Sequence, residues 1–316
     1  MSEDLSSQDL RIYPKVSVLV MTYNQEDFIH ETIESVISQD YPNFEYVISD
    51  DGSTDSTADI ILEYAKKYPD IIVPLVNNPN LGITGNSNRG LSRCVGDYIA
   101  LQGGDDLFLP GKISAQIEWF HRSSGRVLCG HLLKICDATS SIIGIHKTHA
   151  VSGFGPELWI RQGCLYGATS IMLKRGALPS YGFDSRLKTV SDWKLFIDSL
   201  SHESEFGLIN KYLGIYRKHS NNVTNDFERC NSDVLKTFDL LHDSGNYPDR
   251  LLNHGKAYLI LYGKGLKFLT DGEVNLACKF FKQAISLEPR LWKGYIRLIQ
   301  CYWSTFKSLF VFGNAQ

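Results

Sequence analysis

Apolar positions along this chain follow two rhythms, and the switches between them outline its elements. Lys15-Val16-Ser17-Val18-Leu19-Val20-Met21 is a short, nearly continuous apolar run, as expected for a strand buried on both faces. From Asp27 the spacing becomes helical, with Phe28, Ile29, Ile33, Val36 and Ile37 on one face. Phe44 to Ser49 predicts a second strand, Ile60, Ile61, Tyr64 and Ala65 a second helix, Ile71 to Val76 a third strand and Asp97 to Leu101 a fourth. Strands alternating with helices at this pitch predict an α/β fold with a mostly parallel central sheet of βαβ units. A helix through Ile113, Ile117, Trp119 and Phe120 follows, then an alternating strand from Arg126 to Cys136. Residues 139–155 read as a loop, 165–173 as a strand with small residues that leave room for a ligand, and Trp193, Phe196, Ile197 and Leu200 as a helix face. Tyr212 to Asn221 reads as a strand ending in a basic cluster, and from Phe227 onward the pattern is helical.

In sheets of this kind ligands bind outside the carboxyl ends of the strands. Three polar turns fall there: Thr22-Tyr23-Asn24, Asp50 to Asp55, and Gly103-Gly104-Asp105-Asp106. No G-x-G-x-x-G follows the first strand and no G-x-x-x-x-G-K occurs, so neither a dinucleotide fold nor a P-loop is supported. An aromatic, a carboxylate and an adjacent acidic pair suit a nucleotide diphosphate. Tyr23 can lie against a base, Asp51 can accept a ring or ribose proton, and two neighbouring carboxylates call for a divalent cation between them and a diphosphate. Plainer readings stand beside these: a core aromatic, a helix-capping Asp and an ordinary acidic turn.

The chain has 316 residues and a net charge of −3, which gives no nucleic-acid footprint. Its seven cysteines are scattered without a C-x-x-C pair, as in a reduced, cytosolic protein. The acidic start, Met1-Ser2-Glu3-Asp4, lacks the basic and apolar regions of a signal peptide, and no apolar stretch approaches the roughly 20 residues of a membrane span. A cytoplasmic location is the resulting expectation.

Pro14 to Asn24, then Ser38-Gln39-Asp40-Tyr41-Pro42, then Ile48-Ser49-Asp50-Asp51-Gly52-Ser53-Thr54-Asp55, resembles the amino-terminal half of the family 2 inverting glycosyltransferases. Asn80-Leu81-Gly82, Asn88-Arg89-Gly90 and Gly96-Asp97-Tyr98-Ile99 continue the likeness, and Gly104-Asp105-Asp106 sits where that family carries its metal-binding acidic motif. The resemblance covers roughly residues 14–220 and implies a GT-A fold, a nucleoside-diphosphate sugar donor, usually UDP-linked, and Mn²⁺ or Mg²⁺. It implies that Tyr23 and Asp51 hold the base, with Thr22, Asn24, Ser53 and Asn88 in the same donor site. Asp105 would reach ribose or metal, Asp106 would ligate the metal, and Arg217 and His219 would meet the diphosphate, His219 also as a metal ligand. Asp192, followed by Trp193, would be the general base. Three departures from the family pattern are Gly103, where an acid is common, Ser87, where an Arg is common, and Ser191, where the family carries Glu. His146 and His149, three apart, read as surface histidines for want of a third ligand.

The expected layout is a tail over 1–13, a transferase domain over 14–224 and a helical region over 225–316. Within the last, Gly265, Phe268, Ala277, Phe281, Ala284 and Pro289 fall where a tetratricopeptide repeat over about 258–291 places its small, aromatic and closing residues. A lone repeat cannot bury its face, so this region packs on the catalytic domain or a protein partner; an ordinary helical hairpin is the other reading. The aromatic end, Tyr302 to Phe312, reads either as a last core helix or as a segment lying on a membrane surface near a lipid-linked acceptor. The implied activity is transfer of a sugar to a hydroxyl of a glycan or lipid-linked acceptor in surface polysaccharide synthesis. Two alternatives are a catalytically inactive GT-A-like binding module acting through its helices, and a nucleotidyltransferase, which would need a basic Gly-rich loop absent here.

Overall fold

The structure is a computed structural model that describes residues 13–148 and 151–311, with side chains through residue 303. Most of the expected tail, His149 and Phe312 lie outside the described residues. Two compact units emerge: one holds the chain up to Pro156 and Cys164–Asp226, the other Glu157–Gly163 and the chain from Phe227 onward. The second unit thus combines the chain from Phe227 onward with a short segment from the middle of the sequence.

In chain order the elements are β1 (Val16–Thr22), α1 (Ile29–Ile37), β2 (Phe44–Asp50), α2 (Thr57–Lys67), β3 (Ile72–Val76), α3 (Gly82–Leu91), β4 (Tyr98–Gly103), β5 (Leu107–Phe108) and α4 (Lys112–His121). Next come β6 (Arg126–Cys136), β7 (Ile142–Ile145), β8 (Gly153–Phe154), α5 (Glu157–Gln162), β9 (Met172–Lys174), α6 (Ser191–Asp198) and β10 (Glu205–Arg217). The sheet runs β3-β2-β1-β4-β9-β6-β10-β5, with β7 beside β6 and β8 beside β10. Its long pairings are parallel: β1 with β2 and β4, β2 with β3, and β6 with β10. The short strands β5, β7, β8 and β9 pair antiparallel.

Register sets the site. Thr22 lies opposite Asp50, Asp50 opposite Val76, and Met21 opposite Gly103. The carboxyl ends of β1, β2, β3 and β4 therefore finish at one level, and the three polar turns leave the sheet together. Val16, Val18, Val20, Tyr46, Ile48 and Ala100 pack with Ile29, Ile33 and Val36 of α1 and Ile61 of α2 in one core. Burial of these apolar faces, worth about 1.5–3 kcal/mol for each large side chain, fixes the register that aligns the turns.

Several expectations need correction. Residues 139–155 are not all loop: β7 pairs with β6 and β8 with β10. Ile142, Ile143 and Ile145 are all exposed, so this edge pairing leaves no alternating pattern to read. Residues 165–173 are not a full strand, since Ala168–Ser170 forms a 3₁₀ turn and only Met172–Lys174 pairs. Helix α3 was not expected as a helix: its buried positions are Thr84, Asn86, Ser87 and Gly90, a polar face that periodicity misses.

The second unit contains α5, α7 (Phe227–Asp243), α8 (Asp249–Lys256), a π-helical stretch (Ala257–Tyr262), α9 (Gly263–Thr270), α10 (Val274–Leu287) and α11 (Trp292–Val311). The backbone stays right-handed helical at the junctions Ala257 and Gly263, so 249–270 is one continuous helix with a π segment inside it. Ala277, Phe281 and Ala284 are buried between this helix and its neighbours. A Cβ on Gly265 would fall 2.5 Å from the Phe281 ring, so only glycine lets α9 and α10 approach this closely. The repeat-like small and aromatic positions are thus the packing positions. Among the described residues no helix is long and apolar enough to cross a membrane.

Candidate active site

The turn after β2 is built by its own side chains. Asp50 accepts hydrogen bonds from the Gly52 and Ser53 amides at 3.1 and 2.9 Å and from the Ser53 hydroxyl. Gly52 has φ +73°, and a Cβ there would meet the Asn77 carbonyl at 2.9 Å, so glycine is required. Asp51 is buried: its amide donates to the Thr22 carbonyl, and its Oδ1 accepts from Asn77 Nδ2 at 2.9 Å and the Leu81 amide at 2.7 Å. Asn77 Nδ2 also reaches Asn86 Oδ1 on α3 at 2.9 Å. Asn77 and Asn86 were not singled out from the sequence; the available signal was a polar Asn77 one step past the end of β3.

Tyr23 stands at this edge, 47% exposed. Its neighbours have supporting work. Thr22 Oγ1 donates to Gln25 at 2.8 Å, the Asn24 amide donates to Ser53 Oγ at 2.8 Å, and Asn24 Oδ1 accepts from the Thr54 amide at 2.8 Å. Thr22, Asn24 and Ser53 therefore shape the two turns through their side chains. Asn88 departs further from expectation: its amide bridges the backbone of Phe183, donating to the carbonyl at 2.7 Å and accepting from the N–H at 2.8 Å. Both ends of the amide hold the backbone of this segment, so Asn88 anchors it at 183.

The acidic turn after β4 is held at every carbonyl. Thr32 Oγ1 donates to the Gly104 carbonyl at 2.9 Å, Arg217 Nε to that of Asp105 at 2.8 Å, and Gln102 Nε2 to that of Asp106 at 3.0 Å. Asp106, 4% exposed, accepts the Arg217 amide on Oδ1 at 2.9 Å. Asp105 accepts on Oδ2 from His219 Nε2 at 2.8 Å and Asn222 Nδ2 at 3.2 Å. Burial first, then the neighbouring Asp105 charge, pushes the Asp106 carboxyl well above the usual carboxylate range.

Arg217 and His219 are placed differently from the expectation that they face a diphosphate. The Arg217 guanidinium, 1% exposed, bonds Ser140 Oγ at 2.8 Å and Glu31 at 2.6 Å and lies 4.9 Å from the centre of the Phe28 ring. His219 accepts the Asn221 amide on Nδ1 at 3.2 Å, which puts its proton on Nε2, toward Asp105. Both are braces of the acidic turn. Glu31 and Asn222 belong to that brace, and no local pattern marks either one. Nor is His146 a free surface histidine: it is half-buried against the Tyr216 ring at 5.9 Å, and burial lowers its pKa.

Among the described residues no group of three His, Cys, Asp or Glu side chains is arranged to hold a metal ion, so the expected Asp105, Asp106 and His219 set is not assembled. A smaller donor set is present. A Cβ on Gly103 would lie 2.7 Å from Asp105 Oδ1 and 3.2 Å from Asp106 Oδ2. Among the described residues neither oxygen accepts a hydrogen bond, and both lie beside the space that a side chain at Gly103 would fill. The buried Thr169 hydroxyl, close to Asp106 but outside hydrogen-bonding geometry, also lacks a partner. Two carboxylate oxygens leaving the other positions to water and phosphate is a mode that suits Mg²⁺ or Mn²⁺, so the residues fit such an ion.

Asp192 opens α6, with Oδ1 accepting the Trp193 amide at 2.8 Å. Burial pushes its carboxyl up to about 6. On α3, Thr84 Oγ1 donates to the Leu187 carbonyl at 2.6 Å and lies 3.0 Å from Ser191 Oγ. The same helix bonds Asn77, and through it Asp51. A polar helix without an apolar stripe thus links the turn holding Asp51 to the start of the helix holding Asp192.

The sequence profile described as "Glycosyl transferase family 2" matches residues 17–176, half of the chain. The putative glycosyltransferase EpsE of Bacillus subtilis (strain 168) is 42% identical over 109 residues, 34% of this chain and 39% of that protein. The chain thus spans well under two thirds of that relative's length. The UDP-Glc:alpha-D-GlcNAc-diphosphoundecaprenol beta-1,3-glucosyltransferase WfaP of Escherichia coli is 30% identical over 225 residues, covering 70% of this chain and 86% of that one. Among solved structures, TarS of S. aureus bound to UDP-GlcNAc superposes with a TM-score of 0.63 at 17% identity, covering 91% of this chain and 89% of that chain. The mannosyltransferase PcManGT of Pyrobaculum calidifontis, with GDP-Man and Mn²⁺, gives 0.62 at 16% identity, covering 93% and 83%. These structural likenesses establish the GT-A fold. With the acidic turns aligned by strand register and the profile lying across β1 to β9, the chain belongs to glycosyl transferase family 2.

Proposed function

We propose that this chain is a metal-assisted, inverting glycosyltransferase. It would move a hexose from a nucleoside-diphosphate sugar, UDP-linked in the first instance, to a hydroxyl of a glycan or lipid-linked acceptor in surface polysaccharide synthesis. The observation that carries the reading is the pair of unengaged oxygens, Asp105 Oδ1 and Asp106 Oδ2, beside the space that a side chain at Gly103 would fill. The WfaP relative, described as using UDP-Glc and a diphosphoundecaprenol-linked acceptor, supports the donor and acceptor classes.

In this reading Asp51 and Tyr23 hold the base, while Asn77 and the Leu81 amide fix the Asp51 carboxylate. A divalent cation held by Asp105 and Asp106 would neutralise charge on the departing diphosphate. Arg217, His219 and Asn222 keep the two carboxylates aimed during this step. Asp192 accepts the proton of the acceptor hydroxyl. Its carboxyl, raised to about 6, is ionised at neutral pH yet basic enough to take a proton. One base and no second nucleophilic carboxylate give a single displacement, so the product has inverted anomeric configuration.

The test is turnover of UDP-Glc and UDP-GlcNAc with Mn²⁺, alongside thermal shift by UDP with and without the ion. Metal-dependent turnover, and a UDP shift whose Mn²⁺-dependent part is lost in Asp106→Ala, support the reading. Equal UDP shifts in both proteins, with turnover indifferent to chelator, overturn its metal part.

A further inference from the structure

Over its described side chains, residues 292–303, the last helix of the second unit shows two apolar faces, of which one packs into the core of the unit and the other is exposed. Leu298 and Cys301 pack into the core that holds Ala277 and Phe281, and Gly294 rests on Ile285 of α10. On the other face Trp292, Tyr295, Ile296, Ile299, Tyr302 and Trp303 fall at helical spacing and are all exposed, both tryptophans to 64%. An exposed stripe this aromatic calls for an occupant.

Charge identifies the occupant. Beyond Glu288 the sequence contains four basic residues and no acidic one, although the whole chain carries a net charge of −3. Exposed Lys293 lies beside the stripe, and exposed Lys282 of α10 sits 5.7 Å from the centre of the Tyr302 ring. Tryptophan and tyrosine concentrate at the headgroup level of bilayers, where an apolar ring and a polar edge are both satisfied. A helix with an aromatic face and a basic margin, and not apolar enough to cross, lies in the plane of an anionic membrane surface. We propose that α11 is such an interfacial helix, docking the protein on anionic lipid through Trp292, Tyr295, Ile296, Ile299, Tyr302 and Trp303. The inference stands apart from the donor chemistry, and its test contains no sugar nucleotide.

The experiment is co-sedimentation of the full chain with vesicles of phosphatidylcholine alone or mixed with phosphatidylglycerol, with tryptophan emission read in parallel. The wild type is expected to pellet with the anionic vesicles, with a blue-shifted emission, and to be partly released by salt. Lys282→Gln with Lys293→Gln should lower the partition about thirtyfold, since each basic side chain near such a surface contributes about fivefold. Trp292→Ser with Trp303→Ser should abolish the blue shift. Should that variant fold poorly by circular dichroism, the lysine variant decides by itself. A wild type that stays in the supernatant with anionic vesicles overturns the proposal, as does binding untouched by either variant. A concentration-dependent dimer on sizing, lost in the tryptophan variant while vesicle binding is absent, overturns it in favour of a second copy.

Discussion

The two acidic turns at the carboxyl edge of the sheet are built in different ways. Asp51 takes its hydrogen bonds from Asn77 and Leu81, 26 and 30 positions away, all within the parallel run β1–β3 and the start of α3. Asp105 and Asp106 take theirs from Arg217, His219 and Asn222, 111 to 117 positions away at the far end of β10. The first turn can close once neighbouring βαβ units pair. The second needs the long loop between β4 and β10 to be closed first, with the larger entropy cost that entails. The turn holding Asp51 is thus a local construction, and the turn holding Asp105 and Asp106 depends on completion of the whole sheet.

The comparison can be broken by removing chemistry or support from each side in turn. The largest expected effect is at the proposed base: Asp192→Asn should lower kcat about 10²–10⁴-fold with donor affinity, read by calorimetry, nearly unchanged. Wild-type kcat should fall as pH drops below about 6, where the carboxyl protonates. The stability sign is opposite. A folded-state pKa above the unfolded value of about 3.8 means folding is penalised as pH rises through that interval, and the penalty persists above it. The Asn variant should therefore melt higher than wild type at pH 7, and a lower melting point would make the carboxylate structural. Next, Asp106→Ala should cost about 10²–10³-fold in kcat and remove any stabilisation by Mn²⁺, while leaving nucleoside binding at Asp51 in place.

Supports come after ligands. Arg217→Ala should destabilise by about 2–4 kcal/mol in urea unfolding, because a buried guanidinium with three partners is lost, and should weaken metal binding. Asn77→Ala should reduce UDP affinity about tenfold and leave the Mn²⁺ response intact. If either support affected both turns alike, the two constructions would not be separate. The smallest effect concerns Lys112, buried beside the Phe108 ring at 3.9 Å, 2.7 Å from Gln116, and lowered by burial to about 7. Its folded pKa lies below the unfolded value of about 10.5, so the penalty is full below pH 7 and relieved as pH rises toward 10.5. Wild-type melting temperature should climb between pH 7 and 9 from this group, and Lys112→Met should flatten that slope.

Much of the parallel half was legible because its signals are local. The continuous run in β1, the helical spacing of Ile29, Ile33 and Val36, and the polar turn that Asp50 closes on Gly52 and Ser53 each fall within a few residues. Helix α3 was hidden because it buries Thr84, Asn86 and Ser87, and a polar face satisfied by tertiary hydrogen bonds has no hydrophobic period. The roles of Arg217 and His219 were read as ligand contacts because a basic strand end looks the same whether its charge points outward or into a brace. In the helical unit the small residues Gly265, Ala277 and Ala284 were legible because close helix packing demands small side chains at fixed intervals.

The sequence alone determined strands β1 to β4 with helices α1 and α2, the three polar turns at the strand ends and the carboxylates in them, since each rests on side-chain size and polarity at short range. Only the tertiary structure decided which oxygens of Asp105 and Asp106 stay unengaged, that Asn88 bonds the Phe183 backbone and Arg217 the acidic turn, and that Asp192 is held with a raised pKa. Those outcomes depend on burial and on hydrogen bonds between residues far apart in the chain, and no local pattern encodes either.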